Sequence, residues 1–358
     1  MFLDHAYPSD KKITVLVSKS FFEDIEHHFQ NKLPFVVFRY PNQTKLTAFL
    51  DFGTFEKSNK KFIVSPFDSS IYFSIYSHKI LDFDYSSEIT PSTSEEIKWL
   101  DFENKHKEHT ELICKALSCI QESPLKKVVL ATSLQYNGAV NSPLSYFKRI
   151  LAQYTNTFNY LMFHPDCGLW MGATPERLIT MSGHHLQTMA LAGTRPCGSS
   201  EWGNKEKEEQ EFVVREIINT LGQYTPSELI KYSDYETIRA GHLEHLRTTI
   251  TAELSISPID AAQALHPTPA VGGVPKQMAL DFIGRHEQLN RSLYSGFLGV
   301  FSPDQTNLYV NLRCMSIQDY SATVYVGGGI TEKSNPQDEW KEVLQKANTM
   351  GRILAGEQ

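Results

Sequence analysis

An acidic stretch of the sequence opens a segment with helical periodicity. Residues 205–217 read KEKEEQEFVVREI, and a helix there places Phe212 and Val213 on its buried face. Glu209 lies three and four residues before them, so it extends that face. Taken alone, the stretch is most simply a solvated helix start, with acidic side chains near the positive end of the helix dipole. A carboxylate on the buried face is also an oxygen ligand for a hard metal ion.

A second pair of carboxylates lies in the last helical segment. The sequence DEWKE over residues 338–342 places Glu339 and Glu342 three residues apart on one face. Surface charge is the ordinary interpretation of such a pair. If this helix meets the one that carries Glu209, the carboxylates suit Mg²⁺, which proteins usually hold with one or two carboxylates, several waters and an anionic substrate.

Two further features suit an anionic ligand. The run VGGGIT at residues 326–331 offers successive backbone N–H groups without Cβ atoms, although a tight turn is the default interpretation. Arg313 falls in YVNLRCM, which we interpret as the middle of a strand. An arginine there usually faces solvent, and one that faces inward needs an anion. A dicarboxylate would satisfy both features, whereas the sequence has no GxxxxGK(S/T) motif and so no P-loop for phosphate.

The elements that must position these groups follow the order strands, helices, strands, helix. β-Rich runs separated by polar breaks fill residues 35–80, which is typical of antiparallel pairing. A polar stretch at 85–96 is the best linker, and apolar positions in 106–123 fit one helical face. The last helix begins at a capping box that we assign to Ser334 and Gln337. This order predicts an α+β fold with two sheets.

Composition excludes several classes of function. The chain has 358 residues, 41% hydrophobic and 21% charged, with a formal net charge of -7 and a pI near 6.0. It lacks the basic footprint of a protein that binds nucleic acid or an anionic membrane, so small molecules or proteins are the expected partners. No signal region or bilayer-spanning run is visible, and we expect a cytoplasmic protein. The five cysteines are scattered without a CxxC pair and are expected to be reduced.

Eight segments form a recognisable series. In chain order they are KVVLATS, MGATPERLI, LAGTRPCG, EEQEFVV, HLRTTITAEL, HPTPAVGGVPK, NLRCM and VGGGITEKSNPQDEWKE. The series has the order found in chorismate-utilising enzymes, and it resembles isochorismate synthases most closely. The resemblance implies a single domain over 1–358, with a variable β-rich part at 1–96 and a chorismate-binding part at 106–358. The implied fold is α+β, with two stacked antiparallel sheets and surrounding helices.

The resemblance also implies roles for individual residues. The general base that activates water would be Lys127, and the general acid would be Glu176. Mg²⁺ would be bound by Glu209 and Glu342, with Glu339 as a ligand through water. The residues implied to contact the substrate, chorismate, are Gly193, Thr194, His245, Ala270, Tyr294, Arg313, Gly327 and Lys346.

The implied reaction needs an acid and a base at different edges of one ring, because water attacks ring carbon 2 while the hydroxyl leaves carbon 4. The lysine must therefore be neutral and the glutamate protonated. Burial favours both states, since desolvation lowers the pKa of a lysine and raises that of a glutamate. Outside this family, a lysine at the start of a strand is more often solvated.

Three positions depart from the common pattern of the family. Thr132 stands where an arginine is frequent, Gln210 where a histidine is frequent, and Val271 where isochorismate synthases often have leucine. None of the three replaces an implied catalytic group. Each is expected to affect the shape of the pocket.

Three other functions are alternatives. Salicylate synthase would add elimination of pyruvate, and the anthranilate or aminodeoxychorismate synthase components would use ammonia in place of water. Lys127 argues against the ammonia users, which generally lack that lysine, so no glutaminase subunit is expected. A non-catalytic chorismate-binding homologue is disfavoured because Lys127, Glu176 and the acidic residues are all present. The product could enter menaquinone, siderophore or salicylate synthesis.

Overall fold

The computed structural model describes residues 18–54, 57–69, 71–85, 97–138, 140, 142–198, 201–240 and 243–355. Nearly all of the expected linker at 85–96 lies outside these residues. The α-helices of the described part are α1 (Ser18–Gln30), α2 (Phe102–Glu122), α3 (Pro143–Gln153), α4 (Asn204–Leu221), α5 (Pro258–Leu265), α6 (Lys276–His286) and α7 (Pro336–Ala355). None of these helices is long and apolar enough to cross a membrane.

The strands carry most of the architecture. In chain order they are β1 (Phe35–Arg39), β2 (Lys45–Leu50), β3 (Lys61–Ser65), β4 (Phe73–Tyr76), β5 (Lys79–Asp84), β6 (Trp99–Leu100), β7 (Lys127–Tyr136), β8 (Phe158–His164), β9 (Gly168–Thr174), β10 (Arg177–Ser182), β11 (His185–Pro196), β12 (Ile230–Tyr232), β13 (Glu236–Ala240), β14 (Leu243–Glu253), β15 (Gly273–Val274), β16 (Phe297–Phe301), β17 (Thr306–Val310), β18 (Cys314–Gln318) and β19 (Ser321–Thr331).

The strands form two antiparallel sheets. A ten-stranded sheet has the order β15-β7-β19-β18-β9-β8-β1-β2-β5, with β6 also paired to β7. A nine-stranded sheet has the order β12-β14-β11-β10-β17-β16-β3-β4, with β13 also paired to β14. The β-rich segment at 35–84 contributes strands to both sheets, so its strands are built into the same core as the rest of the chain.

The sheets stack face to face around an aromatic core. Phe158 of the first sheet and Tyr309 of the second lie parallel, with ring centroids 4.2 Å apart. Removal of such rings from water is worth roughly 1.5–3 kcal/mol each, so this layer is a main source of cohesion. Helices α1, α3 and α7 cover the outer face of the ten-stranded sheet, and α4 and α5 cover that of the nine-stranded sheet. The α+β fold with two stacked antiparallel sheets is therefore confirmed.

Two local predictions were wrong. YVNLRCM is not the middle of one strand, because the chain passes there from β17 of the nine-stranded sheet to β18 of the ten-stranded sheet. The cap of α7 is Asn335, whose Oδ1 accepts from the backbone N–H groups of residues 337 and 338 at 3.0 and 3.2 Å. Ser334 instead closes the turn after β19, where its Oγ accepts from Thr331 N at 3.1 Å.

Candidate active site

A cavity of about 110 Å³ collects side chains from β7, β11, β14, β19, α4, α7 and the loops between them. This volume is several times the roughly 10–15 Å³ that one water requires, so a small organic ligand can enter. The cavity is lined by every residue that the sequence singled out for the site except Thr194 and Glu339. The Thr194 side chain lies outside the described residues, while its backbone pairs with His245.

Lys127 and Glu209 form an ion pair at the cavity. Lys127 is the first residue of β7 and is 1% exposed, and its Nζ donates to Glu209 Oε1 at 2.8 Å. Gly329, on the neighbouring strand β19, makes room for this pair: a Cβ there would lie 2.9 Å from Lys127 Cε and 3.0 Å from Glu209 Oε1. The sequence showed the glycine run but not this reason for it. A buried lysine is thus held at the cavity by a carboxylate of α4.

Glu176 lies in the turn between β9 and β10 and is 3% exposed. Burial raises the pKa of Glu176 to about 7, even though the hydrogen bond from Thr268 and the charge of Lys127 lower it. Thr268 Oγ1 lies 3.3 Å from Glu176 Oε1. The carboxyl group is therefore partly protonated at neutral pH, as a general acid must be. Thr268 is not among the residues that the resemblance implies, although it belongs to the HPTPA motif.

Arg313 reaches the cavity from the crossing between the two sheets rather than from a mid-strand position. It lies between β17 and β18 with a φ of 48°, a value that non-glycine residues rarely adopt. Its Nη2 donates to His245 Nε2 at 2.6 Å. Because a guanidinium only donates, His245 must carry its proton on Nδ1, which donates to Gly193 O at 3.1 Å.

The protonation states of the hydrogen-bonded residues Arg313 and His245 follow from their burial. The pKa of His245 is well below its usual value because of burial and the nearby charges of Arg313 and Lys346. Burial also lowers the pKa of Arg313, but only to about 10. The histidine is therefore a neutral acceptor beside a charged guanidinium. Gly193, whose carbonyl accepts from His245, has a φ of 66° and lies at an irregularity of the β11–β14 pairing.

Lys346 lies among three carboxylates. Its Nζ donates to Glu342 Oε1 at 2.8 Å and to Gly327 O at 3.2 Å. Burial lowers the pKa of Lys346, but the charges of Glu342, Glu209 and Glu339 outweigh burial and raise that pKa above its ordinary value. Glu339 is 3% exposed, although it does not line the cavity.

The glycine run at 327–329 is neither a tight turn nor a nest of N–H groups. It lies inside β19, where each residue pairs with β7. Alternate backbone groups are therefore used by the sheet, and the glycines serve instead to admit neighbouring side chains. At Gly327, for example, a Cβ would lie 2.6 Å from Leu130 O and 3.1 Å from the Tyr294 hydroxyl oxygen.

The acidic residues fit a hard divalent cation. The carboxylates whose charges raise the pKa of Lys346 belong to glutamates of helices α4 and α7. Carboxylate oxygens are the ligands that Mg²⁺ prefers. Among the described residues, no three acidic, imidazole or thiol groups already surround one point. Such a cation would accordingly need waters and ligand oxygens besides the protein carboxylates.

The three departures from the family pattern fall in different places. Val271 lines the cavity, whereas Thr132 lines a separate cavity beside α2. Gln210 is buried behind the site, where its amide accepts from Ala192 N at 2.9 Å and donates to Thr248 Oγ1 at 3.0 Å. The glutamine thereby anchors α4 to its sheet next to Glu209.

Comparison with known proteins places these features in a family. A family model described as "Chorismate binding enzyme" matches residues 74–355. Isochorismate synthase MenF of Escherichia coli (strain K12) is 31% identical over 261 residues, which cover 68% of this chain and 59% of the relative. Isochorismate synthase MenF of Haemophilus influenzae is 29% identical over 283 residues, 75% of this chain and 63% of the relative. The chain thus spans less than two thirds of the length of these relatives.

A solved structure shares the fold. It is a putative 2,3-dihydroxybenzoate-specific isochorismate synthase, DhbC, from Bacillus anthracis, and it superposes with a TM-score of 0.78 at 21% sequence identity. The match covers 94% of this chain and 99% of that chain. At this identity, the likeness concerns the arrangement of the two sheets and their helices.

Proposed function

Because the chain belongs to the chorismate-binding enzyme family, we propose that it is an isochorismate synthase, which converts chorismate to isochorismate. The observation that supports this most directly is a buried lysine and a buried glutamate facing one cavity, Lys127 and Glu176. The similarity to curated isochorismate synthases adds to it. Water, rather than ammonia, is the nucleophile in this proposal because a basic side chain is available to deprotonate it.

The cations of the cavity bind the substrate. Chorismate carries two carboxylates, and Arg313 and Lys346, which both line the cavity, are charged donors for them. His245 holds the guanidinium of Arg313 in place, and the Gly327 carbonyl holds the ammonium of Lys346. Apolar residues such as Val271 and Leu312 face the ring and limit the access of bulk water.

The base acts on the water that attacks carbon 2, and the acid acts on the hydroxyl that leaves carbon 4. Lys127, once its ammonium has lost a proton, accepts a proton from water as the water oxygen bonds to ring carbon 2. The ring double bonds shift, the bond between carbon 4 and its hydroxyl breaks, and Glu176 donates its proton to the departing oxygen. Water is consumed and released in equal amounts, and exchange with solvent restores the two protonation states.

A divalent cation is part of the proposal. Glu209 and Glu342 would hold Mg²⁺, with Glu339 bound through water. When bound, the ion would neutralise a substrate carboxylate and the surrounding acidic residues and so increase affinity for the dianion. The enzyme is proposed to act without a glutaminase partner, since it uses water.

Product analysis tests the function. Purified protein is incubated with chorismate and Mg²⁺, with and without excess ammonium at mildly alkaline pH, and the products are separated by chromatography. We expect isochorismate in both cases, and little of it after chelation of the metal or in Lys127→Ala. A dominant aminated product, or salicylate with pyruvate, would assign the chain to one of the other branches. Binding of chorismate without turnover would indicate a non-catalytic homologue.

A further inference from the structure

A buried ion pair lies outside the cavity, just beyond the end of α6. Arg291 Nε donates to Glu287 Oε1 at 2.6 Å, and Arg291 Nη2 donates to Glu287 Oε2 at 2.8 Å. The two side chains are only 3% and 1% exposed, and the guanidinium lies 4.2 Å from the ring centroid of Phe67. Burial of two charges costs several kcal/mol each unless their other donors and acceptors are also used. The remaining contacts of the pair therefore indicate its purpose.

Those contacts go to the backbone around the cavity. Arg291 Nη2 donates to Val129 O at 2.7 Å, and Nη1 donates to Val271 O at 3.0 Å. Glu287 Oε2 accepts from Ala131 N at 2.8 Å. Val129 and Val271 both line the cavity. One ion pair thus connects strand β7 to the loop that precedes β15.

The pair fills a gap in the sheet. On the edge of β7 that faces away from β19, β15 pairs with residues 127 and 128, and Gly272 O accepts from Val129 N at 2.9 Å. Strand β6 pairs with the same edge only at residues 135 and 136. Between these points no strand of the described chain covers the edge. The carboxylate and the guanidinium take the acceptor and donor positions of the missing strand.

The same pair controls the loop that contacts the acid. Thr268 O accepts from Val271 N at 3.0 Å and from Gly272 N at 2.8 Å, so the turn from 268 to 272 is closed. Because Arg291 holds the Val271 carbonyl, it also fixes the position of Thr268, which donates to Glu176.

We propose that Glu287 and Arg291 are a positioning pair that sets Lys127, at the start of β7, and Glu176, through Thr268, at their working separation across the cavity. This inference rests on the proposed function, because it refers to the two groups that exchange protons with the substrate. Neither residue of the pair touches Arg313, Lys346 or the acidic residues in the contacts described above. The pair should therefore affect turnover more than binding.

The test is Arg291→Lys, which keeps the charge but loses the planar fork that binds two carbonyls and a carboxylate together. We expect kcat per chorismate-binding site, with sites counted by calorimetry, to fall at least about tenfold, because small misplacement of catalytic groups is costly. We expect KM for chorismate and the Mg²⁺ titration to stay within about threefold of wild type, since the charged groups that would bind them, Arg313, Lys346 and Glu209, are held by other contacts. Hydrogen exchange in the peptide at 127–136 should become faster.

Arg39→Lys is the matched control. Arg39 is 4% exposed and its Nη2 donates to Leu151 O at 2.7 Å and Tyr154 O at 3.0 Å, so it is also a buried arginine that binds backbone carbonyls. It lies on β1 and does not line the cavity. Thermal unfolding should show that both variants lose stability, while kcat per binding site falls in Arg291→Lys alone.

Two results would overturn the inference: an unchanged kcat per binding site in Arg291→Lys, or an equal fall in both variants. The product made by the wild type decides the proposed function separately. If wild type converts chorismate to a different product, the ratio of variant to wild-type turnover for that product still tests the pair. If wild type has no turnover, unchanged hydrogen exchange at 127–136 in Arg291→Lys would refute the positioning role, and selectively faster exchange there would support it.

Discussion

Burial acts on three ionisable side chains of one cavity and leaves each in a different state. It raises the pKa of Glu176 to about 7, so that this carboxyl group keeps a proton near neutral pH. It makes His245 neutral, because the ordinary pKa of histidine lies only slightly below neutrality. Arg313 stays charged, because a pKa lowered to about 10 is still far above neutral pH. Residue type and burial together thus produce an acid, an acceptor and a cation.

Glu176→Gln tests the acid. The amide has nearly the same shape but cannot donate an acidic proton, so kcat should fall roughly 10²–10⁴-fold while chorismate binding persists. In wild type, kcat/KM should decrease as pH rises above about 7, because the free enzyme then loses the proton of Glu176. The variant should lack this decrease. Steady-state kinetics from pH 6 to pH 9 measure both effects, and a kcat within about twofold of wild type would remove Glu176 from the role.

The stability of the same variant gives a readout that does not depend on activity. The ordinary pKa of the carboxyl is 4.5, and the folded value is about 7. As pH rises between these values, the unfolded chain ionises while the folded chain stays protonated. The free energy of unfolding should therefore decrease, by about 3 kcal/mol in total at about 1.4 kcal/mol per pH unit. Denaturant titrations at pH 5 and pH 8 should show this decrease in wild type and a smaller one in Glu176→Gln. An equal decrease in the free energy of unfolding of the two proteins would contradict the raised pKa.

At the scale of elements, strand β19 is adapted to the groups on both sides of it. Gly329→Ala would place a Cβ against Lys127 and Glu209, and overpacking of this kind costs about 1–3 kcal/mol. Gly328→Ala is the matched control on the same strand, because its Cβ would make ordinary contacts of 3.7 and 3.8 Å. We expect turnover to fall more than about tenfold in Gly329→Ala only, where the ion pair must move. Equal activity of the two variants would show that the Lys127–Glu209 contact is not needed.

Local patterns predicted some elements and failed at others for identifiable reasons. The buried stripe of α4 was predictable because Val213, Ile217 and Leu221 repeat at helical spacing, and all three are buried. Strand propensity runs through NLYVNLRCMSI without a break, so the passage from one sheet to the other at Arg313 left no local signal. Ser334 and Asn335 are both good helix caps, and only their hydrogen bonds distinguish them.

The site residues show the same division. The motifs singled out Lys127 and Glu176, and both line the cavity, but the partners of such groups come from distant segments. Thr268 reaches Glu176 across 92 positions of the chain, and Glu287 reaches Ala131 N across 156. No periodicity or spacing reports such contacts, because they depend on how the two sheets and their loops pack.

At the scale of the whole molecule, the two sheets each carry part of the site. Strands β7 and β19 belong to the ten-stranded sheet and carry Lys127 and Gly327. Helix α7 packs on the outer face of the same sheet and supplies further residues that line the cavity. Strands β11 and β14 belong to the nine-stranded sheet, which α4 covers. The carboxylates of α4 and α7 can approach one another only when the sheets are stacked. A ligand that joins these helices should therefore stabilise the complete fold.

Mg²⁺ should stabilise the folded protein through this junction, and the effect should require both helices. A ligand at a hundred times its Kd raises the free energy of unfolding by about 2.7 kcal/mol, so Mg²⁺ with chorismate should produce a measurable shift in the unfolding temperature. Glu209→Gln and Glu342→Gln should each lose most of this shift, because each removes a charged oxygen ligand.

Glu208→Gln is the control: its carboxylate is 53% exposed and pairs with Lys333 on the surface, where an ion pair contributes little. Thermal unfolding and calorimetric Mg²⁺ titrations measure the outcome. If all three variants bind Mg²⁺ as wild type does, the cation does not bind between α4 and α7. The acidic residues then serve only to neutralise the charges of Lys127 and Lys346.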